Sequence, residues 1–162
     1  KLAIQYNART VDHMETVTEE DIKLLKSGRT LPVLLPFSSF FLKKDYAPAR
    51  TFIDSGIPVA LATDFNPGTA PLLSPFLLIH LAVNYMKMTI DEAINALTIY
   101  SAYAMGVEDV TGSITRGKTG NIIITHPIGN LLELAYSPDM NFVRYHICGG
   151  RNIIHTETTI WN

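Results

Sequence analysis

The sequence has one cysteine, Cys148, so no disulfide can close within it, and a reducing, cytoplasmic setting is expected. It is also poor in charge: 17% of residues are Asp, Glu, Lys or Arg, against the ~25% usual for soluble domains. So thinly charged a surface predicts that part of it is covered by other protein. Positive charge is not in excess, with 13 Lys and Arg against 15 Asp and Glu and a formal net charge of −2. No basic field is available to neutralise phosphates, which argues against a nucleic-acid partner. Long apolar runs are missing as well. The longest, Phe76 to Val83, is interrupted by His80 and falls far short of the ~20 residues of a membrane span, so no membrane partner is expected. A basic-then-apolar secretory layout is absent from the start. That start is Lys1 rather than a methionine, from which a piece of a longer polypeptide is expected.

What is present suffices for one domain. The 162 residues, 47% of them hydrophobic, can bury a real core and exclude disorder as a whole-chain description. Ala8 to Asp12 reads as a short strand ending at His13. Thr18 opens a helix as N-cap, with Glu19, Glu20 and Asp21 at its positive end, and Gly28 is expected to close it as a left-handed cap. Leu31 to Leu35 is apolar on both faces, as in a parallel sheet covered on both sides. A polar-aromatic loop is expected from Pro36 to Tyr46, then a short helix from Pro48 to Ser55, stopped by Gly56. Val59 to Thr63 is a third buried strand that runs into Asp64. A long apolar helix is expected from about Leu72 to Met86. Thr89 and Glu92 form a capping box for another helix that runs through Leu97 towards Met105.

Beyond Gly106 the texture changes to short β-like runs punctuated by glycines. Asn121 to Thr125 is one run; Phe142 to Cys148, a Gly149-Gly150 turn and Asn152 to His155 read as a hairpin. A boundary near Val107 is expected. Strand-helix alternation before it implies a parallel sheet with right-handed crossovers, part of either a doubly wound sheet or a (β/α)8 barrel. In both, functional loops lie at the carboxyl ends of the strands. His13, the stretch from Pro36, and Asp64 all fall there.

An acid directly after a buried strand is costly unless a metal ion, a cation or backbone N–H groups stabilise its charge. Asp64 is such an acid; the plain alternative is a cap for its loop and the next helix, and spacing alone does not choose. His13 gains functional weight from sharing that edge. Its neighbours Asp12 and Glu15 could orient it or face solvent, and solvent is the expected role. His80 is expected to be packed within its helix, and His126, His146 and His155 to be surface or structural. Gly112 to Thr119 matches the phosphate-loop pattern G-x-x-x-x-G-K-[ST] letter for letter. That chemistry needs a helix after the motif, whereas a β-like run follows, so the match reads as a turn.

The segment Ala62-Thr63-Asp64-Phe65-Asn66-Pro67-Gly68-Thr69 resembles the strand-8 motif of imidazolonepropionases, members of the amidohydrolase superfamily. Val11-Asp12-His13 resembles the strand-6 region, Val33-Leu34-Leu35-Pro36-Phe37 the strand-7 loop, and Gly112-Ser113-Ile114 with Gly117-Lys118 the turn that returns the chain to the small β domain. Gly120-Asn121 departs from the usual Ala-Asp. The resemblance implies an α/β fold, with 1–106 forming strands 6 to 8 of a TIM barrel and 107–162 part of a small β-sandwich. It implies Asp64 as a metal ligand that also takes a proton from the attacking water, whose pKa a metal lowers to ~7. His13 is implied to polarise the substrate or stabilise developing negative charge. Asn66, Gly68 and Thr69 are implied substrate-binding positions.

The implied reaction is metal-dependent hydrolysis of the ring C–N bond of 4-imidazolone-5-propanoate, a small-molecule substrate, to N-formimidoyl-L-glutamate, with zinc or iron as cofactor. The remaining ligands, a His-x-His pair and a further histidine, would precede Lys1. This chain alone is then expected to be inactive, its partner being the missing part of the barrel; a homodimer of the full-length protein stays open. Two other readings stand beside this one. An aminohydrolase acting on a nucleobase-like ring is disfavoured by the Asn-Pro-Gly-Thr loop. In a non-catalytic α/β binding module, Asp64 and His13 would be caps and core residues.

Overall fold

The computed structural model describes residues 1–155; the end of the expected second unit, 156–162, lies outside the described residues. A single helical turn, α1 (Leu2–Gln5), precedes an alternation of β1 (Thr10–Asp12), α2 (Glu19–Ser27), β2 (Leu31–Leu34), α3 (Pro36–Leu42), α4 (Ala49–Asp54) and β3 (Ala60–Leu61). Then come α5 (Pro75–Asn84), α6 (Ile90–Leu97) and α7 (Ile99–Met105). The last stretch holds β4 (Ile122–Thr125), α8 (Glu133–Tyr136), β5 (Val143–Cys148) and β6 (Asn152–His155).

The first three strands form a parallel sheet in the order β1-β2-β3, with Thr10 opposite Leu31 and Val33 opposite Ala60. β2 is buried along its whole length. Leu34 joins Phe52, Val59 and Leu61 under the helices, while Leu31, Val33 and Leu35 cluster with Ala60 on the other face. A proline inside a central strand would ordinarily break the ladder. Here Leu31 N–H donates to Arg9 on the β1 side, so the Pro32 nitrogen faces β3, whose pairing begins only at Val33. The missing N–H therefore costs no ladder bond.

The caps explain most helix boundaries. Thr18 and Asp21 form a capping box for α2, an Asp standing where Glu or Gln is usual. Gly28 does end that helix, but in extended backbone (φ −103°, ψ −173°) rather than the expected left-handed cap. A Cβ there would lie 3.4 Å from Ile4 Cγ2, an ordinary van der Waals contact, so neither a positive φ nor close packing requires the glycine. The expected loop from Pro36 is instead helical over α3. Pro36 takes the first helical position, where its fixed φ suits the turn and its missing N–H costs nothing. α5 begins at Pro75 rather than Leu72, because Ser74 caps it by accepting from Leu77 N–H and proline keeps its predecessor out of the helix. The helix expected from Thr89 towards Met105 is broken at Thr98 (φ −115°, ψ −84°). There Thr98 Oγ1 donates to the Ile94 carbonyl, and Ser101 Oγ sits 2.7 Å from the Ala96 carbonyl and 3.1 Å from that of Leu61, which turns α7 beneath β3.

The second sheet is antiparallel, β4-β5-β6, with Ile123 opposite His146 and His146 opposite Ile154. Gly149 and Gly150, both at positive φ (62° and 69°), make its hairpin turn. The two parts touch across the expected boundary. Leu134, Ala135 and Phe142 belong to the main core cluster, and the Phe142 ring packs edge-on against Phe76 at 5.1 Å.

Phe52 is wholly buried within this core. Phe52→Ala is expected to lower the unfolding free energy by about 3–5 kcal/mol in chemical denaturation. A second prediction concerns acid. Arg50 on α4 grips Glu92 on α6 with both terminal nitrogens, at 2.8 and 3.0 Å, and holds its carboxyl below the usual carboxylate range. The stability this contributes is complete above the unfolded-state value of ~4.3 and is lost as pH falls through the lowered folded value. Glu92→Gln should flatten that acid limb in melting temperatures recorded from pH 6 down to pH 3.

Candidate active site

Parallel pairing puts the carboxyl ends of β1, β2 and β3 on one edge. His13 N–H still bonds the Val33 carbonyl at 3.0 Å, and Ala62 N–H the Leu34 carbonyl at 3.1 Å, so both flanking strands are held to β2 up to the point where they leave it. There the backbone turns sharply. His13 (φ 73°), Met14 (φ 69°) and Asp64 (φ 53°) all lie in the left-handed region without being glycine. Such conformations cost about 1–3 kcal/mol each and gather at functional sites. β1 and β3 are separated by β2, so the backbones that carry His13 and Asp64 stand two strand spacings apart, roughly 10 Å.

The loop after Asp64 is organised by Asn66. Its Nδ2 donates to the Asp64 carbonyl at 2.6 Å and to Thr69 Oγ1 at 3.0 Å. Its Oδ1 accepts the N–H groups of Gly68 and Thr69 at 2.9 and 2.8 Å. A backbone bridge between Asn66 and Ala70 closes the ring. The donors expected to face a substrate are thus engaged within the loop, and Asn66 is its frame. Asp64 itself is half-buried. Its carboxylate makes no hydrogen bond or ion pair among the described residues.

His13 is half-exposed and has a partner. Glu15, expected to face solvent, returns its Oε1 to within 3.3 Å of His13 Nδ1 and accepts from Ser39 Oγ at 3.4 Å. Spacing alone allows Glu15 to orient His13 but does not announce Ser39. The only signal was the Pro36-Phe37-Ser38-Ser39 run, which as a helix start buries two serines at the same edge.

The other histidines behave as expected where the structure describes their contacts. His80 Nδ1 lies 2.7 Å from the Ala135 carbonyl, and His155 stacks on Tyr145 at 5.0 Å. The phosphate-loop lookalike is a turn with no helix after it. Lys118 Nζ is engaged by Ser113 Oγ at 2.8 Å, and Gly112 is glycine because a Cβ would fall 2.5 Å from that of Ala102. A cavity of about 380 Å³ between Gly28, Ile57, Pro58 and Tyr103 lies at the amino edge, opposite the strand ends that carry function in such sheets.

Comparison with known proteins decides the family. The model of the Amidohydrolase family matches residues 4–153. The chain belongs to the amidohydrolase family. Similar relatives are the imidazolonepropionases of Flavobacterium psychrophilum, 48% identical over 94% of this chain and 37% of that protein, and of Flavobacterium johnsoniae, 46% identical over 93% and 36%. The chain spans little more than a third of the length of the curated relatives it matches. Among solved structures, an adenosine deaminase from Xanthomonas campestris with bound zinc matches with a TM-score of 0.77 at 22% identity, over 87% of this chain and 36% of that one. That likeness establishes the shared fold.

Asp64, a half-buried carboxylate at a strand end with no side-chain partner among the described residues, has the chemistry to take one place in a metal centre. It does not fill the others. Among the described residues no three His, Cys, Asp or Glu side chains are grouped so as to hold a metal ion. Nor, among the described residues, is any helix long and apolar enough to cross a membrane.

If Asn66 frames the loop, Asn66→Ala leaves the Gly68 and Thr69 amides without acceptors. Their hydrogen exchange should quicken about 5- to 150-fold, matching the ~1–3 kcal/mol cost of an orphaned donor. Unchanged rates would show that something else holds the loop.

Proposed function

We propose that the intact polypeptide carrying this sequence hydrolyses the ring C–N bond of 4-imidazolone-5-propanoate, yielding N-formimidoyl-L-glutamate in histidine degradation. Residues 1–106 then supply strands 6 to 8 of a (β/α)8 barrel, and 107–162 part of a small β-sandwich. The observation that carries this reading is the carboxyl edge shared by His13 and Asp64, both in left-handed backbone, within a chain 48% identical to an imidazolonepropionase. Further support comes from what is uncovered. Within the described sheet β1 and β3 each have one unpaired edge, and Ile123 and Ile154 on one face of the second sheet, like Ile124 and Ile153 on the other, are exposed. Surfaces of this kind await the remaining two-thirds of such a protein.

Asp64 would be one ligand of a zinc or iron ion, with the others on the preceding part of the polypeptide. When bound, the ion supplies Lewis acidity that makes water nucleophilic near neutral pH. The Asp64 carboxylate takes the proton of the attacking water as its oxygen adds to the ring carbonyl carbon. It returns that proton to the ring nitrogen as the C–N bond breaks and a carboxylate forms. His13 offers a ring nitrogen to the carbonyl oxygen and holds the negative charge that develops there. Asn66, Gly68 and Thr69 shape the substrate side of the loop. The backbone itself does not demand glycine at 68: its φ is not positive, and a Cβ would meet only Asn66 Oδ1, at 3.4 Å. Room kept for a ligand accounts for it. Cytoplasmic histidine breakdown suits a protein whose single cysteine is unpaired.

Assayed as the intact protein, turnover of 4-imidazolone-5-propanoate is expected, abolished by chelation and restored by zinc or iron. Asp64→Asn should lower kcat about 10²–10⁴-fold, as loss of a proton-transferring group does. Ammonia release from a nucleobase ring, without imidazolone turnover, would instead assign the aminohydrolase reading. Cooperative thermal unfolding of this chain alone, with neither reaction in the intact protein, would favour the binding module.

A further inference from the structure

We infer that Glu15, held by Ser39, is the positioning residue that decides which nitrogen of His13 meets the substrate. The inference rests on the reading of His13 as a catalytic group and adds to it a neighbour that acts through the ring.

The geometry begins in the backbone. Two consecutive left-handed residues, His13 (φ 73°) and Met14 (φ 69°), fold the chain back on itself immediately after β1. An extended chain would carry residue 15 away from the ring. This fold-back returns it, with Oε1 3.3 Å from Nδ1. The same oxygen accepts the hydroxyl of Ser39, which is buried in the first turns of α3 after β2. The carboxylate is thereby tied to the neighbouring strand's connection, not only to its own.

Magnitudes argue against a merely stabilising pair. Two left-handed non-glycine residues cost about 1–3 kcal/mol each. A half-exposed ion pair contributes ~0–1 kcal/mol and does not offset that. Burial also runs in the direction a positioning role requires, since the Glu15 side chain is 23% exposed and that of His13 52%. The anchor is the more enclosed partner, and the ring projects from it.

A carboxylate can only accept, so the histidine nitrogen beside it carries a hydrogen. Glu15 fixes that nitrogen as Nδ1 and leaves Nε2, on the far side of the ring, as the one presented at the carboxyl edge. Without the carboxylate the ring is free to rotate and exchange tautomers, and the productive nitrogen is presented only part of the time.

The test uses the intact protein. Nitrogen-15 NMR of the His13 ring, in its neutral form, is expected to show Nδ1 protonated in the wild type and a tautomer mixture in Glu15→Ala. In steady-state kinetics Glu15→Ala should lower kcat about 10- to 100-fold, the usual cost of losing a carboxylate that orients a functional histidine, with KM within about twofold. Ser39→Ala should move kcat the same way by a smaller factor. In a His13→Ala background, Glu15→Ala should cost nothing further, an outcome that a general loss of stability would not produce. A wild-type ring protonated at Nε2, or additive losses in the double variant, overturns the inference. So does a large loss in His13→Ala with none in Glu15→Ala. Full activity in His13→Ala is a different result, and it overturns the reading of His13 itself.

Discussion

Because β1, β2 and β3 run parallel, each is joined to the next by a crossover that brings the chain back to the same edge, and every strand leaves the sheet on the same side. That constraint brings His13 and Asp64 to one edge across 50 intervening residues with no direct contact needed between them. It also places the burden on β2. Its side chains seal both faces of the sheet, Leu34 in the main core and Val33 in a cluster that Tyr103 and Ala104 of α7 cover, and its carbonyls at Val33 and Leu34 hold His13 and Ala62, the first residues beyond both flanking strands. Displacing β2 would release the backbones that carry His13 and Asp64 together.

Much of this was legible in the sequence, and the reasons are local. The parallel sheet followed from three apolar runs separated by helix-length segments. The capping box at Thr89 and Glu92, the hairpin glycines at 149 and 150, and the packed role of His80 followed from residue chemistry with few alternatives. What was not legible depended on partners distant in the chain. α3 is hidden behind a Pro-Phe-Ser-Ser-Phe-Phe run whose β-branched-free but aromatic texture reads equally as loop, until Phe37 finds a buried place beside Ala70 and Leu78. Gly28 does end α2, but in extended backbone open to any residue, so the left-handed cap read from the glycine was not the cause of the stop. Spacing alone leaves Glu15 open between orienting His13 and facing solvent, because nothing within two residues of it announces Ser39, which is 24 residues away.

The thin charge and the exposed side chains are one phenomenon. Tyr136, Ile114 and Met105 stand largely in solvent, at 86%, 86% and 77%, and isoleucines face outward on both sides of the second sheet. Scattered apolar side chains are ordinary on a surface, but a small sheet that the described residues leave uncovered on both faces is not. Arg9 marks the opposite case. It sits over the Tyr103 ring at 5.1 Å, donates to the Tyr103 carbonyl and pairs with Glu108, closing the amino side of the sheet with this chain's own residues.

The loop knotted by Asn66 has a consequence for how such a site can change. All of its internal bonds run through residues 64, 66, 68, 69 and 70, whereas Phe65 and Pro67 point outward and take no part. Frame and tip are therefore separable. Side chains at 65 and 67 can be exchanged while the backbone path beneath them stays as it is, so selectivity can drift by single substitutions without each trial having to rebuild the loop.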